Sequence, residues 1–310
     1  MEHRSIGRLS VSVVGLGCNN FGRRLDAAAT REVVSAALDA GIDFFDTADA
    51  YGGGKSEEFL GQALRGRRER AVIATKFGVP GSSPEGVARG SARWVRQAAE
   101  RSLQRLGVDC IDHYQLHFPD PEVSVAETLG ALHELVREGK VREIGCSNFG
   151  SGRLREAHEA ATAAGLTPFR TVQNRYSLLH REPEEKVVPA CRDLGLGLIP
   201  YFPLEAGLLT GKVHPQQPLP AGTRLAAMSD AERARFVGEG TLERVERLRD
   251  YAASRGRSLL ELAVSWLASS PVVVSVIAGA TRPEQVASNA SAASWKLGEA
   301  ERAEIAALAG

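Results

Sequence analysis

Short apolar runs alternate with longer amphipathic stretches along the whole chain. Runs at 11–17 (VSVVGLG), 42–47 (IDFFDT), 71–77 (AVIATKF), 110–117 (CIDHYQLH), 141–148 (VREIGCSN), 170–176 (RTVQNRY), 196–202 (LGLIPYF) and 272–279 (VVVSVIAG) have the length and residue types of strands. Between them, 26–41, 91–107 and 125–140 follow helical spacing; in the last, Val125, Leu129, Leu132 and Val136 share one face. Gly41, Gly107 and Gly139 stand at helix ends just before a strand, where a residue able to turn left-handed is wanted. Eight strands alternating with helices imply a parallel sheet, and the economical closed form is a (β/α)8 barrel of one domain over residues 1–310. The rival is an open, doubly wound sheet. It normally announces itself by a glycine-rich turn after the first strand, and GLGCNNFG offers only the GxG of Gly15 and Gly17. The rhythm breaks at about 212–240, where HPQQPLPAG reads as a long mobile loop after the seventh strand.

Composition narrows the class. The formal net charge is zero, so neither a nucleic-acid-binding stripe nor a membrane-seeking polybasic run is expected. No stretch reaches the ~18 consecutive apolar residues of a spanning helix, and MEHRSIGRLS lacks an apolar signal region. Cys18, Cys110, Cys146 and Cys191 are far apart and read as reduced thiols of a cytoplasmic protein.

Catalytic groups of such barrels gather at the carboxyl ends of the strands. Asp46, Lys76, His117, Asn148 and Gln173 lie at or near those ends, and Tyr51 follows Asp46 on a loop containing GGG. Singly, each has a plain reading: a capping aspartate, a lysine reaching for water, a structural histidine. Their convergence on one rim is what points to a site. His113 and His117 would lie ~13 Å apart on a strand, too far to share a metal, so no metal site is expected.

The segments DTADAYGGGKSEEFLG (46–61), ATKFG (74–78), DHYQLHFPDP (112–121), GCSNF (145–149), QNRYS (173–177), GLLTGK (207–212) and GATRPEQVASN (279–289) together resemble the aldo-keto reductase family, in order and over nearly the whole chain. The resemblance implies the barrel, a nicotinamide cofactor (usually NADPH, with NADH as the alternative) and a tetrad of Asp46, Tyr51, Lys76 and His117. Tyr51 would give the proton to the carbonyl oxygen. A free tyrosine is a reluctant acid, with a pKa of about 10, and the Lys76 ammonium would lower it. Asp46 would hold the lysine, and His117 would orient the substrate oxygen.

The same resemblance assigns the cofactor contacts. Ser147, Asn148 and Gln173 would hold the nicotinamide carboxamide, and Tyr201 would stack on its ring. Pro203, Leu204, Gly207, Leu208 and Lys212 would pass over the pyrophosphate, with Arg224 as a further phosphate contact. Gly279, Thr281 and Arg282 would meet the 2′-phosphate, Arg282 just before a helix opened by Pro283. Gln285 and Asn289 would meet the adenosine. Phe21, Tyr51, Trp94 and Phe118 are expected to wall the pocket of a small carbonyl substrate. Departures from the family pattern are Ala278 in place of a frequent proline, Phe202, and Glu205, which would repel the pyrophosphate if it pointed inward. The leading expectation is a reductase of aldehydes or ketones. Alternatives are an NAD(P)+-dependent sugar or polyol dehydrogenase and a cofactor-sensing regulatory subunit.

Overall fold

Among the described residues ten strands form, and eight of them make one parallel sheet. The strands are β1 (His3–Ile6), β2 (Leu9–Ser12), β3 (Val14–Gly17), β4 (Phe44–Asp46), β5 (Val72–Phe77), β6 (Ile111–Leu116), β7 (Val141–Ser147), β8 (Thr171–Arg175), β9 (Gly197–Tyr201) and β10 (Val276–Gly279). The computed structural model describes every residue except Gln216; that part of the 212–240 segment lies outside the described residues. The sheet runs β10-β3-β4-β5-β6-β7-β8-β9, all parallel. Its two edges meet at a parallel bridge between Leu198 and Val273, with Val274 N donating to Leu198 O at 3.0 Å. The result is a (β/α)8 barrel.

The anticipated helices form where capping side chains start them. Asp26 accepts from Ala29 N ahead of helix Ala27–Asp39, Ser91 from Trp94 N ahead of Ala92–Leu106, and Ser124 from Glu127 N ahead of Val125–Arg137. Lys55–Ala63, Ser151–Ala164, Pro183–Leu194, Leu259–Ala268 and Pro283–Ser291 complete the outer ring, with Thr241–Ser254 and Glu299–Ala309 packed together outside it.

Two runs depart from expectation. The first splits: Leu9–Ser12 turns back on His3–Ile6 as an antiparallel hairpin, and only Val14–Gly17 enters the barrel. The last is a ladder strand only over Val276–Gly279. The hairpin closes the amino end of the barrel. Its Ile6, Leu9 and Val11 form one apolar cluster with Phe44, Ala74, Ile199, Val274 and Ile277. Segment 212–240 is not wholly irregular. It carries a helical turn, Asp230–Arg233, begun by a capping box in which Ser229 and Glu232 bond reciprocally. Among the described residues no helix is long and apolar enough to cross a membrane, and no group of three or more potential metal ligands gathers.

Candidate active site

Parallel strands carry the polar residues to one rim. Asp46 is the last residue of β4; Lys76 is the penultimate residue of β5, in register with Gln115 of β6; Ser147 ends β7 in register with Gln173 of β8. His117 follows β6, and its N–H donates to Phe77 O at 2.8 Å. Tyr51 opens the tight turn Tyr51–Gly54 after β4.

Lys76 is fully buried, and three acceptors surround its ammonium. Nζ donates to Asp46 Oδ2 at 2.6 Å, to Thr47 O at 2.8 Å and to Tyr51 OH at 3.5 Å. The other Asp46 oxygen accepts from Gln173 Nε2 at 2.8 Å and Gln115 Nε2 at 3.3 Å. Burial works against the lysine charge, but Asp46 and Tyr51 outweigh it and raise its pKa above the ordinary value. The ammonium is therefore a permanent charge at neutral pH.

Tyr51 corrects one expectation. Lys76 does pull the phenol toward acidity, yet burial is the larger effect and Asp46 adds to it, so the net shift is upward. The phenol holds its proton firmly near neutral pH. His117 lies edge-on to Tyr51, with ring centroids 6.0 Å apart, and stacks on Phe118 at 5.1 Å. Burial and the Lys76 charge push its pKa down to about 3, so the imidazole is neutral and keeps one N–H to donate.

The neighbouring amides form a fixed shelf. Ser147 Oγ donates to Gln173 O at 2.8 Å; Asn148 Nδ2 donates to His117 O at 2.9 Å and to Ser147 Oγ at 3.1 Å. Tyr201 OH donates to Asn148 Oδ1 at 2.8 Å, which pins the tyrosine ring beside the shelf. Among the described residues Gln173 Oε1 has no protein partner.

Above this floor opens a cavity of about 1430 Å³, larger than the ~300–1,000 Å³ typical of small-ligand sites. Its lining includes Asp46, Tyr51, His117, Phe118, Ser147, Asn148, Gln173 and Tyr201, and, farther along, Pro203, Leu204, Gly207, Lys212 and Arg224. Gly279, Thr281, Arg282, Gln285 and Asn289 line it as well. Three anticipated contacts lie elsewhere. Phe21 and Leu208 are fully buried, and Trp94 is 2% exposed; all three pack in the hydrophobic core and none lines the cavity. Trp94 sits on the inward, apolar face of its helix, and Phe21 turns inward from its loop.

Glu205 also resolves. It is 1% exposed and outside the cavity lining, paired with Arg175 and accepting from Ser177 Oγ at 2.8 Å. It anchors a strained turn from below: Phe202, Glu205 and Ala206 have φ of 53°, 44° and 54°. Gly207, at φ 108°, has open space where a Cβ would stand, so backbone faces the cavity there.

These features fit a nicotinamide dinucleotide. Tyr201 gives a pinned aromatic face, and Gln173 Oε1 a free acceptor. The 203–207 backbone and Lys212 suit a pyrophosphate. The helix beginning at Pro283, with Arg282 as its N-cap, suits a further phosphate. Gln285 Oε1 accepts from Thr281 N at 2.7 Å and Thr281 Oγ1 at 3.1 Å, fixing that turn. Residues the sequence reading passed over include Gln115, which shares Asp46 with Gln173, and Asn19, Asn20, Arg23, Arg24 and Arg235, which line the cavity. The period-2 alternation of β6 could have flagged Gln115; nothing local flags Arg235, which reaches the cavity only through the path of its loop.

Comparison with known proteins agrees with this geometry. The model of the Aldo/keto reductase family matches residues 13–309. A probable aldo-keto reductase 1 of Glycine max is 36% identical over 304 residues, covering 95% of this chain and 84% of that protein. The aldo-keto reductase YhdN of Bacillus subtilis is 33% identical over 314 residues, covering 98% and 92%. A probable voltage-gated potassium channel subunit beta of Oryza sativa is 34% identical over 302 residues, covering 94% and 91%.

Proposed function

This chain belongs to the aldo/keto reductase family, and from that premise we propose that it reduces an aldehyde or ketone to an alcohol with NADPH, Tyr51 giving the proton. Membership makes it an NAD(P)H-dependent oxidoreductase of small carbonyl compounds. The observation that carries the finer reading is the hydrogen-bonded Asp46–Lys76–Tyr51 chain, in which buried Asp46 and Lys76 back a half-buried Tyr51 that lines the cavity. The bound dinucleotide supplies a hydride to the carbonyl carbon. The protein then manages the oxygen. The neutral His117 imidazole donates a hydrogen bond that orients it, and Tyr51 releases its proton as negative charge builds there. The phenolate left behind is stabilised by the Lys76 ammonium, which Asp46 and Thr47 O hold in place.

Tyr51 keeps its proton in the ligand-free protein, so it is in the form that a general acid needs. Lys212, Arg224 and Arg282 support NADPH over NADH, since they exceed what a pyrophosphate alone requires.

The test is NADPH consumption by the purified protein with a panel of aldehydes and ketones, alongside Tyr51→Phe. We expect turnover in the native protein, a kcat lower by about 10²–10⁴ in the variant, and an unchanged NADPH Kd. Retained turnover in Tyr51→Phe would remove the tyrosine from its role. Tight NADPH binding with no turnover on any carbonyl would instead favour a cofactor-sensing regulatory subunit.

A further inference from the structure

Six basic residues line the cavity: Arg23, Arg24, Lys212, Arg224, Arg235 and Arg282. The acidic lining is Asp46 and Glu284, and Asp46 is already bound to Lys76. The ion pairs at this end of the molecule are made elsewhere, Arg175 with Glu205 and Arg233 with Asp230. Among the described residues none of the six forms an ion pair. Lys212, Arg224 and Arg282 answer to the cofactor phosphates in the proposed function. Arg23, Arg24 and Arg235 are left over.

Arg23 and Arg24 sit where the catalytic turn meets the loop that carries Arg224. The segment after β3 runs across the rim. At its start Asn20 Nδ2 donates to Ala280 O at 3.3 Å, beside Gly279 and Thr281. Farther on it presses against the catalytic turn: a Cβ on Gly52, the neighbour of Tyr51, would lie 2.9 Å from Phe21 O and 3.1 Å from Gly22 C. Arg23 and Arg24 follow directly, on the Tyr51 side. Across the opening, Arg24 Nη2 donates to Gly222 O at 3.0 Å, which ties this segment to the 212–240 loop that carries Arg224 and Arg235. Arg224 stacks over Phe202 at 4.8 Å, and burial together with Arg23 and Arg24 lowers its pKa. Like charges have thus been gathered at one mouth, where Glu232, already engaged in capping Ser229, is the nearby carboxylate. Such an arrangement is unfavourable until an anion enters it.

We propose that the substrate is a carbonyl compound bearing an anionic group, a carboxylate or a phosphate, which Arg23, Arg24 and Arg235 hold while the carbonyl meets Tyr51. This rests on the carbonyl-reductase reading above. Guanidinium groups pair with both anions through two parallel N–H donors, so the shared chemistry does not choose between them.

The experiment compares matched pairs: 4-carboxybenzaldehyde against benzaldehyde, and glyceraldehyde 3-phosphate against glyceraldehyde. In the native protein kcat/KM favours the charged member of at least one pair by about tenfold, the pair identifying the anion, and added salt erodes the preference. In Arg23→Gln/Arg24→Gln the charged-to-neutral ratio falls to near one through KM, with kcat for the charged substrate and the NADPH Kd both held; a lysine pair restores part of the ratio. Calorimetric binding of the same pairs to the NADPH complex of Tyr51→Phe reads the preference without turnover. A preference in binding without reduction of any carbonyl by the native protein would overturn the reductase reading and, with it, the carbonyl part of this inference, leaving only the anion site. Equal handling of charged and neutral members by the native protein overturns the inference alone. So does a loss of NADPH affinity in the double variant that accounts for the whole effect, which would assign the arginines to the cofactor.

Discussion

The two ends of the barrel solve opposite problems with the same strands. At the amino end nearly everything is paired. The hairpin inserts Ile6, Leu9 and Val11 beneath the barrel. Arg4 donates to the carbonyls of Ala268, Ser270 and Val273. Glu143, 3% exposed, accepts from Arg8 N at 2.9 Å and Arg170 Nε at 3.3 Å. At the carboxyl end charges are left facing a cavity, and strain collects there. All the described non-glycine residues with left-handed φ, namely Asn148, Phe202, Glu205 and Ala206, lie at that end. Buried His117 Nδ1 and Gln115 Oε1 lack protein partners. Each such feature costs stability, of order 1–3 kcal/mol for a strained residue or a lone polar group. A well-packed amino end, with its buried charges paired, offsets the cost of holding groups at the other end in reactive rather than restful arrangements.

Substitutions at the two ends should therefore part company. The largest effect is expected for Lys76→Met. It removes the charge that stabilises the Tyr51 phenolate and leaves Asp46 buried and unpaired. Turnover should fall by about 10²-fold or more, and stability by about 3–5 kcal/mol, read from NADPH consumption and urea midpoints. A variant of native stability would dissolve the claim that the pair is structural as well as catalytic.

Gly7→Ala at the amino end should behave in the opposite way. Gly7 has φ 56°, and a Cβ there would stand 2.4 Å from the Glu143 carboxyl group. About 1–3 kcal/mol of stability should be lost, with kcat unchanged. A drop in kcat at native stability would break the separation between the two ends.

The smallest effect sharpens where the boundary runs. His113 lies inside the barrel between the ends, Nε2 within 3.0 Å of Thr171 Oγ1, and burial and Lys76 push its pKa from 6.5 down to about 3. Between those values the unfolded chain binds the proton and the folded chain does not, so stability rises with pH. Its contribution is full above about pH 6.5 and is lost as pH falls toward 3. His113→Gln should flatten the acid slope of stability between pH 6.5 and 5 by about 1 kcal/mol per pH unit, measured by urea denaturation. An unaltered slope would mean that the imidazole is solvated and the barrel interior less dry than its packing indicates.

How much of this was legible in the chain differs by region. Asp46, Lys76 and His117 are readable because each ends an apolar run, and parallel strands of similar length bring such ends to one rim. The hairpin was misread because VSVVGLG, with Ser12 its one polar residue, reads as a single strand, and nothing in it marks the bend at Val13 that divides it. Phe21 and Trp94 were misplaced as pocket walls because an aromatic residue in a loop after a strand, or in the first turn of a helix, looks alike whether it faces core or cavity. Glu205 was read as a threat to anion binding, since its partners Arg175 and Ser177 are 30 and 28 positions away.

The sequence alone determined the period of strand and helix, the caps, and the types of residue at the strand ends. These are local: they depend on spacing and on side chains within a few positions. Tertiary structure alone decided three other things. Burial, rather than Lys76, governs the acidity of Tyr51. Glu205 turns away from the cavity to Arg175. Arg23, Arg24 and Arg235, far apart in the chain, line one cavity. Each depends on the dielectric surroundings or the long-range path of the chain, and none of the three is written in the spacing of neighbouring residues.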